Sequence, residues 1–281
     1  MGVLPGAEPY TVDGGDVGVV LSHGFTGSPQ SLRPWAEHLG AAGLTVRLPR
    51  LPGHGTRWQD LNDTRWPDWY GEVERAFDDL RGRCRLVFAM GLSMGGTLVL
   101  RLAEQRPAEV AGLVLVNPSL GTERKDVKFA LPVLHRVLPS LAGVAGDIRK
   151  PGATELAYDR TPLRAMHSLS RLWSLVAADL PKVTAPVLLF RSRVDHVVEP
   201  LSGRLLRTGA SATEVTEVIL EESYHVATLD HDAPVIFAGS VDWVRRHADP
   251  QPAAAGAPAA AEPAPPPAVP SAPPTAPPAA G

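Results

Sequence analysis

Between Val17 and Leu220, apolar runs of strand length alternate with segments of helical composition and spacing, and this alternation limits the chain to few architectures. Residues 17–21, VGVVL, read as a buried strand. Ser28-Pro29 then supplies a helix N-cap followed by proline at the first helical position, and a helix through 32–39 ends near Gly43. A strand at 44–48, a glycine-rich loop at Pro52-Gly53-His54-Gly55, a helix over 68–80, a strand at 85–90 and a helix over 97–104 follow. The next strand, 110–116, is stopped by Asn117-Pro118, and two more are expected at 186–190 and 214–220. Strands this apolar need cover on both faces, and strands separated by helices pair in parallel. The expected class is α/β, a mainly parallel sheet flanked by helices.

The alternation breaks between residues 121 and 180. This stretch is helix-prone and rich in apolar side chains, for example FALPVL at 129–134 and LSRLWSLV at 169–176. It is expected to form a small helical cap inserted between two strands, over the carboxyl ends where open α/β sheets bind ligands. An ordinary pair of packing helices is the plainer alternative. Residues 1–120 and 181–248 would then form the core. The tail, 249–281, is almost wholly Ala and Pro, with no apolar face to bury, and is expected to be disordered.

With 281 residues and 44% hydrophobic content, the chain can bury a substantial core. Its net charge is −3 and it has no block of Lys or Arg, which argues against nucleic acid or an anionic membrane surface as the main partner. Cys84 is the only cysteine, so no intrachain disulfide and no Cys-based structural zinc site can form. The N-terminal residues lack the pattern of a secretion signal, and no apolar run reaches the roughly 20 residues that span a bilayer. A cytoplasmic protein without stable membrane insertion, monomeric or weakly homodimeric, is expected.

The stretch that carries chemistry is Gly91-Leu92-Ser93-Met94-Gly95-Gly96. A G-x-S-x-G pattern arises by chance in roughly one chain in ten of this length, so its context decides. An apolar strand precedes Ser93 and a helical segment follows, the arrangement of a nucleophile elbow, in which glycines let strand and helix approach. A serine hydroxyl becomes nucleophilic when a histidine accepts its proton and a carboxylate fixes that histidine's tautomer. In such sheets the acid and then the histidine follow the serine along the chain, each beyond a strand end. Asp195 lies past the strand at 186–190, and His225 past the strand at 214–220. His196 and His231 compete as the base, and Glu199, Glu221 and Glu222 as the acid. An oxyanion hole needs two N–H groups, here those of Met94 and of Phe25 in the loop after the first apolar strand, where Gly24 frees the turn. His23 and His54 are expected to shape loops.

Taken together, HGFTGSPQSLRPWAEHL, LPGHG, WPDW, GLSMGG, RVDHVVEP and SYHVATLDHD resemble the bacterial carboxylesterase and monoacylglycerol lipase family of the α/β-hydrolase superfamily. The resemblance spans nearly the whole chain apart from the tail. It implies Ser93, Asp195 and His225 as a catalytic triad, Phe25 and Met94 as oxyanion donors, a helical cap that contacts a lipid-like substrate, and no cofactor. The implied activity is cleavage of carboxylic esters of short to medium acyl chains, monoacylglycerols among them. Phe25, Leu134, Leu172 and Trp173 are expected to form the acyl site. Tyr224 stands where the family commonly has glycine, so its ring is expected to narrow the entrance or move the loop. Thioesterase or perhydrolase chemistry on the same triad, and a non-catalytic ligand receptor, are the alternatives.

Overall fold

The apolar runs become the middle of a seven-stranded sheet, as strands without a polar face require. The computed structural model describes residues 2–143 and 145–248. The chain runs through β1 (Tyr10–Val12), β2 (Val17–Ser22), a 3₁₀ turn (Pro29–Leu32), α1 (Arg33–Ala41) and β3 (Thr45–Leu48). It continues through α2 (Trp58–Asp63), α3 (Trp66–Arg81), β4 (Leu86–Leu92), α4 (Met94–Gln105) and β5 (Val110–Val116). A long excursion follows, with a π-helical turn (Asp126–Ala130), α5 (Leu131–Val137), β6 (Ser140–Ala142), β7 (Arg160–Pro162) and α6 (Leu163–Asp179). The chain returns through β8 (Val187–Ser192), α7 (Leu201–Gly209), β9 (Val215–Leu220) and α8 (Ala233–Ala248).

The strand order is β1-β3-β2-β4-β5-β8-β9, and every pairing is parallel except that of β1 with β3. From β2 the chain first crosses to β3 on one side and later to β4 on the other. The winding direction therefore reverses between β2 and β4, and a cleft opens at their carboxyl ends. Ser22 at the end of β2 lies in register with Gly91, next to the end of β4.

Two apolar layers hold the sheet. Trp69, Val73 and Phe77 of α3 pack with Leu98 and Leu102 of α4 and Leu172 and Val176 of α6 on one face. Trp35 and Leu39 of α1 pack with Ile236, Trp243 and Val244 of α8 on the other. A fully buried side chain such as Phe77 or Leu39 contributes about 1.5–3 kcal/mol. The Trp35 indole satisfies its N–H on Ser240 Oγ at 3.1 Å, joining α1 to α8.

The excursion leaves the sheet at β5 and returns at its neighbour β8, with α6 packed on α4 and α2. Tyr158 anchors it to the glycine-rich loop, donating its hydroxyl proton to Gly53 O at 2.8 Å and accepting the Thr56 N–H at 2.9 Å. Arg101 of α4 pairs with Asp179 of α6 at 2.7 Å. Among the described residues, no helix is long and apolar enough to cross a membrane. The Pro/Ala tail lies outside the described residues.

Several elements depart from expectation. Helix α3 begins at Trp66, two residues before the expected start, because Asp68, its third residue, reaches back and accepts the N–H of the N-cap residue Arg65 at 2.8 Å. Ser28 has the extended backbone of an N-cap, but its hydroxyl donates to Leu156 O in the insertion at 3.0 Å, and the turn it opens is 3₁₀. Strands β1, β6 and β7 and helices α2 and α7 are additions to the expected elements.

Candidate active site

Ser93 sits at the turn between β4 and α4 with φ 56° and ψ −120°, a left-handed conformation that costs a non-glycine residue about 1–3 kcal/mol. Backbone bonds hold it there: Ser93 N–H donates to Val116 O at 3.0 Å, and Ser93 O accepts the N–H of Ser119 at 3.2 Å and of Thr97 at 3.3 Å. Gly91 and Gly95 are required by close approach. A Cβ on Gly95 would lie 1.8 Å from Ser22 O, and one on Gly91 would lie 2.4 Å from Gly95 C. The helix thus begins against the backbone of β2, where no side chain fits.

The loop after β2 crosses beside Ser93, where a Cβ on Gly24 would be 3.4 Å from Ser93 Cβ. His23 sets its course. The buried imidazole donates from Nδ1 to Gly24 O at 3.1 Å and accepts the Leu51 N–H on Nε2 at 3.2 Å, which makes it neutral. Burial, aided by Arg50, drives its pKa down to about 4. His54 likewise shapes its loop, with Nδ1 on Pro52 O at 3.1 Å and its ring edge-on to Trp69. Phe25 packs against Trp69 in a T-shaped pair and lines the cavity beneath. Met94 opens α4, so its N–H is among the first-turn donors that have no intrahelical acceptor.

Asp195 and His225 project from the loops after the adjacent strands β8 and β9. His225 Nδ1 lies 2.8 Å from Asp195 Oδ2, and both side chains are buried. The other carboxylate oxygen, Oδ1, accepts the N–H groups of Val197 at 2.8 Å and Val198 at 2.7 Å. A carboxylate can only accept, so Nδ1 of His225 carries the proton and Nε2 is left as the basic nitrogen. Burial opposes protonation of His225, but Asp195, with Glu155 and Asp147 behind it, outweighs that and holds the imidazole's pKa above its ordinary value. Burial likewise opposes ionisation of Asp195, and His225 with the two backbone N–H groups overcomes it, keeping the carboxyl below its usual range.

Ser93, His225 and Phe25 open into one cavity of about 280 Å³. Leu131 and Leu134 of α5 and Leu163, Met166, Leu169 and Trp173 of α6 form apolar walls. Gly146, Asp147 and Glu155 supply a polar margin, where the Glu155 carboxylate accepts the Gly146 N–H at 3.1 Å and burial pushes its pKa up. One expected wall residue, Leu172, is elsewhere. It is fully buried in the apolar layer shared with α3 and α4, turned about 100° along the helix from Trp173, and does not line the cavity. The Tyr224 ring also stays out of the cavity, packed edge-on against His196 with centroids 4.7 Å apart.

The competing residues are engaged otherwise. His196 pairs through Nδ1 with Asp147 at 2.8 Å, Glu221 pairs with Arg193, and Glu222 pairs with Arg149 at 2.9 Å. Glu199 accepts the Glu123 N–H, and the exposed His231 donates its own N–H to Asp230 at 2.8 Å.

Three residues that sequence reasoning did not assign to the site secure it. Asn117, at φ 43°, donates Nδ2 to His225 O at 2.8 Å and to Ser192 Oγ at 2.9 Å, and accepts the Ser192 N–H at 2.8 Å. It thereby ties the end of β5 to the loops bearing Asp195 and His225. Asp147 accepts the His225 N–H at 3.1 Å. The buried Asp230 accepts four backbone N–H groups, from Tyr224, His231, Arg149 and Lys150, at 2.7–2.9 Å. The last two belong to the insertion, so Asp230 pins it to the histidine loop. Asp230 closes the SYHVATLD stretch and Asn117 stops a strand, and both positions carried a signal; Asp147 had none.

Residues 16–232 match the family model described as serine aminopeptidase, S33. The chain is 42% identical to a thermostable monoacylglycerol lipase of Bacillus sp. (strain H-257), over 88% of this chain and 97% of that one. It is 25% identical to a carboxylesterase of Bacillus subtilis (strain 168), over 84% and 98%. A solved structure reported for LipS and LipT, two metagenome-derived lipolytic enzymes, superimposes with a TM-score of 0.84 at 42% identity, covering 88% of this chain and 100% of that one.

Proposed function

We propose, from the premise that this chain belongs to the serine hydrolase family just described, in the carboxylesterase and monoacylglycerol lipase branch of the α/β-hydrolases, that it cleaves carboxylic esters through an acyl-enzyme on Ser93. The observation that carries this reading is the cavity itself. A strained serine and a carboxylate-paired histidine open into a space with apolar walls and a polar margin. Ser93 Oγ attacks the ester carbonyl carbon while Nε2 of His225 takes the hydroxyl proton. The N–H groups of Phe25 and Met94 hold the resulting oxyanion. Collapse breaks the carbon–oxygen bond, and the departing alkoxide takes the proton from His225. Water, deprotonated by the same nitrogen, then attacks the acyl-enzyme and releases the acid.

Residues 121–180 act as a cap, with α5 and α6 forming the roof over the acyl chain. Acids of short to medium length fit the apolar walls, and the margin at Glu155 and Asp147 suits a hydroxylated alcohol, as in a monoacylglycerol. The test is a kcat/KM series of p-nitrophenyl esters from acetate to palmitate, beside 1-monoacylglycerols, an acyl thioester and an aminoacyl anilide. Each methylene held by the walls adds about 0.8 kcal/mol, about fourfold in kcat/KM, until the cavity is full. The monoacylglycerol should outpace the methyl ester of the same acid, and both should outpace the thioester and the anilide. If no ester is turned over faster than the thioester or the anilide, the reading fails.

Hydrolysis needs neutral His225, whose pKa is raised, so kcat/KM should fall as pH drops through a value above 6.5. Glu155 is one of the charges that raise it. Glu155→Gln removes that charge and keeps an acceptor for the Gly146 N–H, so the acid limb of the pH profile should move to lower pH. A limb that stays in place or moves upward would show that Glu155 does not act on His225.

A further inference from the structure

The two helices that roof the cavity carry a second set of side chains that hydrolysis does not use. On α6, Leu163, Met166, Leu169 and Trp173 face the cavity, whereas Arg164, His167 and Arg171 fall on another face of the same helix. On α5, Leu131 and Leu134 face the cavity, and His135 and Arg136 do not. These five residues, with Arg65 from the start of α3, line a separate open pocket of about 390 Å³. Ser168 is its one other lining residue, so four guanidinium groups and two imidazoles converge with no carboxylate between them. Among the described residues none of the six forms an ion pair. The Arg65 guanidinium donates only to the carbonyls of Asn62 and Thr64. In a chain of net charge −3 this is a local concentration of unneutralised positive charge.

The histidines add a second observation. Their rings stack with centroids 4.0 Å apart and planes 7° from parallel. His135 Nε2 is buried without a hydrogen-bond partner, which costs about 1–3 kcal/mol. Burial, His135 and the positive charges of Arg171, Arg136 and Arg65 hold His167 below its ordinary pKa. A bound anion would offset the arginines and so relieve the crowding of positive charge around His167.

We propose that this pocket binds a phosphate-class anion, either free or as the phosphate of a lipid headgroup. Phosphate suits it better than a carboxylate: its several oxygens and up to two charges can engage more than one planar guanidinium fork at once. The ligand would bridge α5, α6 and the start of α3, joining the insertion to the core while leaving Ser93 untouched. Because adjoining faces of α5 and α6 wall the catalytic cavity, occupancy would stiffen those walls.

The test titrates the full chain with inorganic phosphate, against chloride at equal ionic strength, by calorimetry and by the proton NMR signals of His135 and His167. Wild type should bind saturably with both imidazole signals shifting, and Arg136→Gln/Arg171→Gln should weaken binding about tenfold or more for each fork removed. The lysine pair, Arg136→Lys/Arg171→Lys, should fall between them. Hydrolysis of a soluble p-nitrophenyl ester and the thermal midpoint report whether each variant is folded. If the glutamine pair is not, the wild-type NMR titration decides alone, since shifts confined to other residues overturn the proposal. Co-sedimentation with phosphatidylcholine vesicles, with and without phosphatidic acid, separates the sources. Binding to phosphatidic acid that the glutamine pair loses identifies a lipid headgroup, and binding of inorganic phosphate alone identifies a soluble ligand. Equal binding by wild type and the glutamine pair, or no binding of phosphate and no binding of phosphatidic acid, overturns the proposal.

Discussion

Ser93→Ala should lower kcat on a soluble ester by on the order of 10⁶-fold, with the folded structure and ester affinity nearly unchanged. Only Oγ is removed, and the bonds that shape the elbow are all made by backbone atoms: Ser93 N–H to Val116 O, and Ser93 O to Thr97 and Ser119. Alanine meets the same backbone strain at φ 56° that serine does, so the thermal midpoint should move little. The residual rate should still exceed that in water about 10³-fold, because the oxyanion donors and the cavity remain. Adding His225→Ala to Ser93→Ala should cost almost nothing more, since a nucleophile and its base act as a unit. Retention of more than about a thousandth of the wild-type kcat by Ser93→Ala would remove the serine from the chemistry and leave the cavity a binding site.

The elements that alternate in the sequence are the ones whose side chains have no choice of environment. β2, β4 and β5 are apolar apart from Ser22 and lie in the middle of the sheet, so their hydrophobic runs specify strands directly. β1, β6 and β7 have three residues each, and α2 has six, too few for a periodic pattern; they exist because neighbours pair with or cover them. The start of α3 carries a local signal, Asp68 three residues after Arg65, that the apolar pattern alone overlooks. Ser28 takes the N-cap position with Pro29 behind it, but a residue from the insertion, far along the chain, takes the hydroxyl that local chemistry assigns to the helix.

At the site, chain order and position beyond strand ends point to the proposed triad Ser93, Asp195 and His225, because parallel topology brings successive carboxyl ends to one edge of the sheet. The cavity wall could not be read the same way. Leu169, Leu172 and Trp173 are all apolar, and only the rotation of α6, set by packing on α4, decides which of them faces the cavity. Asp147 was invisible because it acts through the backbone N–H of His225, across 78 residues, from a loop with no motif of its own. The basic pocket was missed because Arg65, Arg136 and Arg171 are scattered in sequence, and a scatter of arginines reads as background until folding gathers it.

Asp195→Asn should lower kcat by about 10⁴-fold without unfolding the protein, and the reason lies in how its loop is tied. Oδ1 of Asp195 accepts the N–H groups of Val197 and Val198, so an asparagine must turn its carbonyl oxygen toward them. Its NH₂ group then faces Nδ1 of His225, where a carboxylate oxygen now lies at 2.8 Å. Two donors cannot share that contact, so Nδ1 must become the acceptor and the proton moves to Nε2. The histidine keeps its place, held by its backbone N–H on Asp147 and its backbone carbonyl on Asn117 Nδ2, but its ring should no longer take a proton from Ser93. The raised pKa of His225 should also fall, because the charge that chiefly opposes its desolvation is gone. Nitrogen-15 NMR of the imidazole in wild type and variant reads the tautomer directly, and kcat on p-nitrophenyl acetate reads its consequence. A variant that keeps the Nδ1–H tautomer, or loses less than tenfold in kcat, would mean that another group orients His225. Asp147 could not be that group from its present position, since its carboxylate bonds His225 only at the backbone N–H and otherwise pairs with His196.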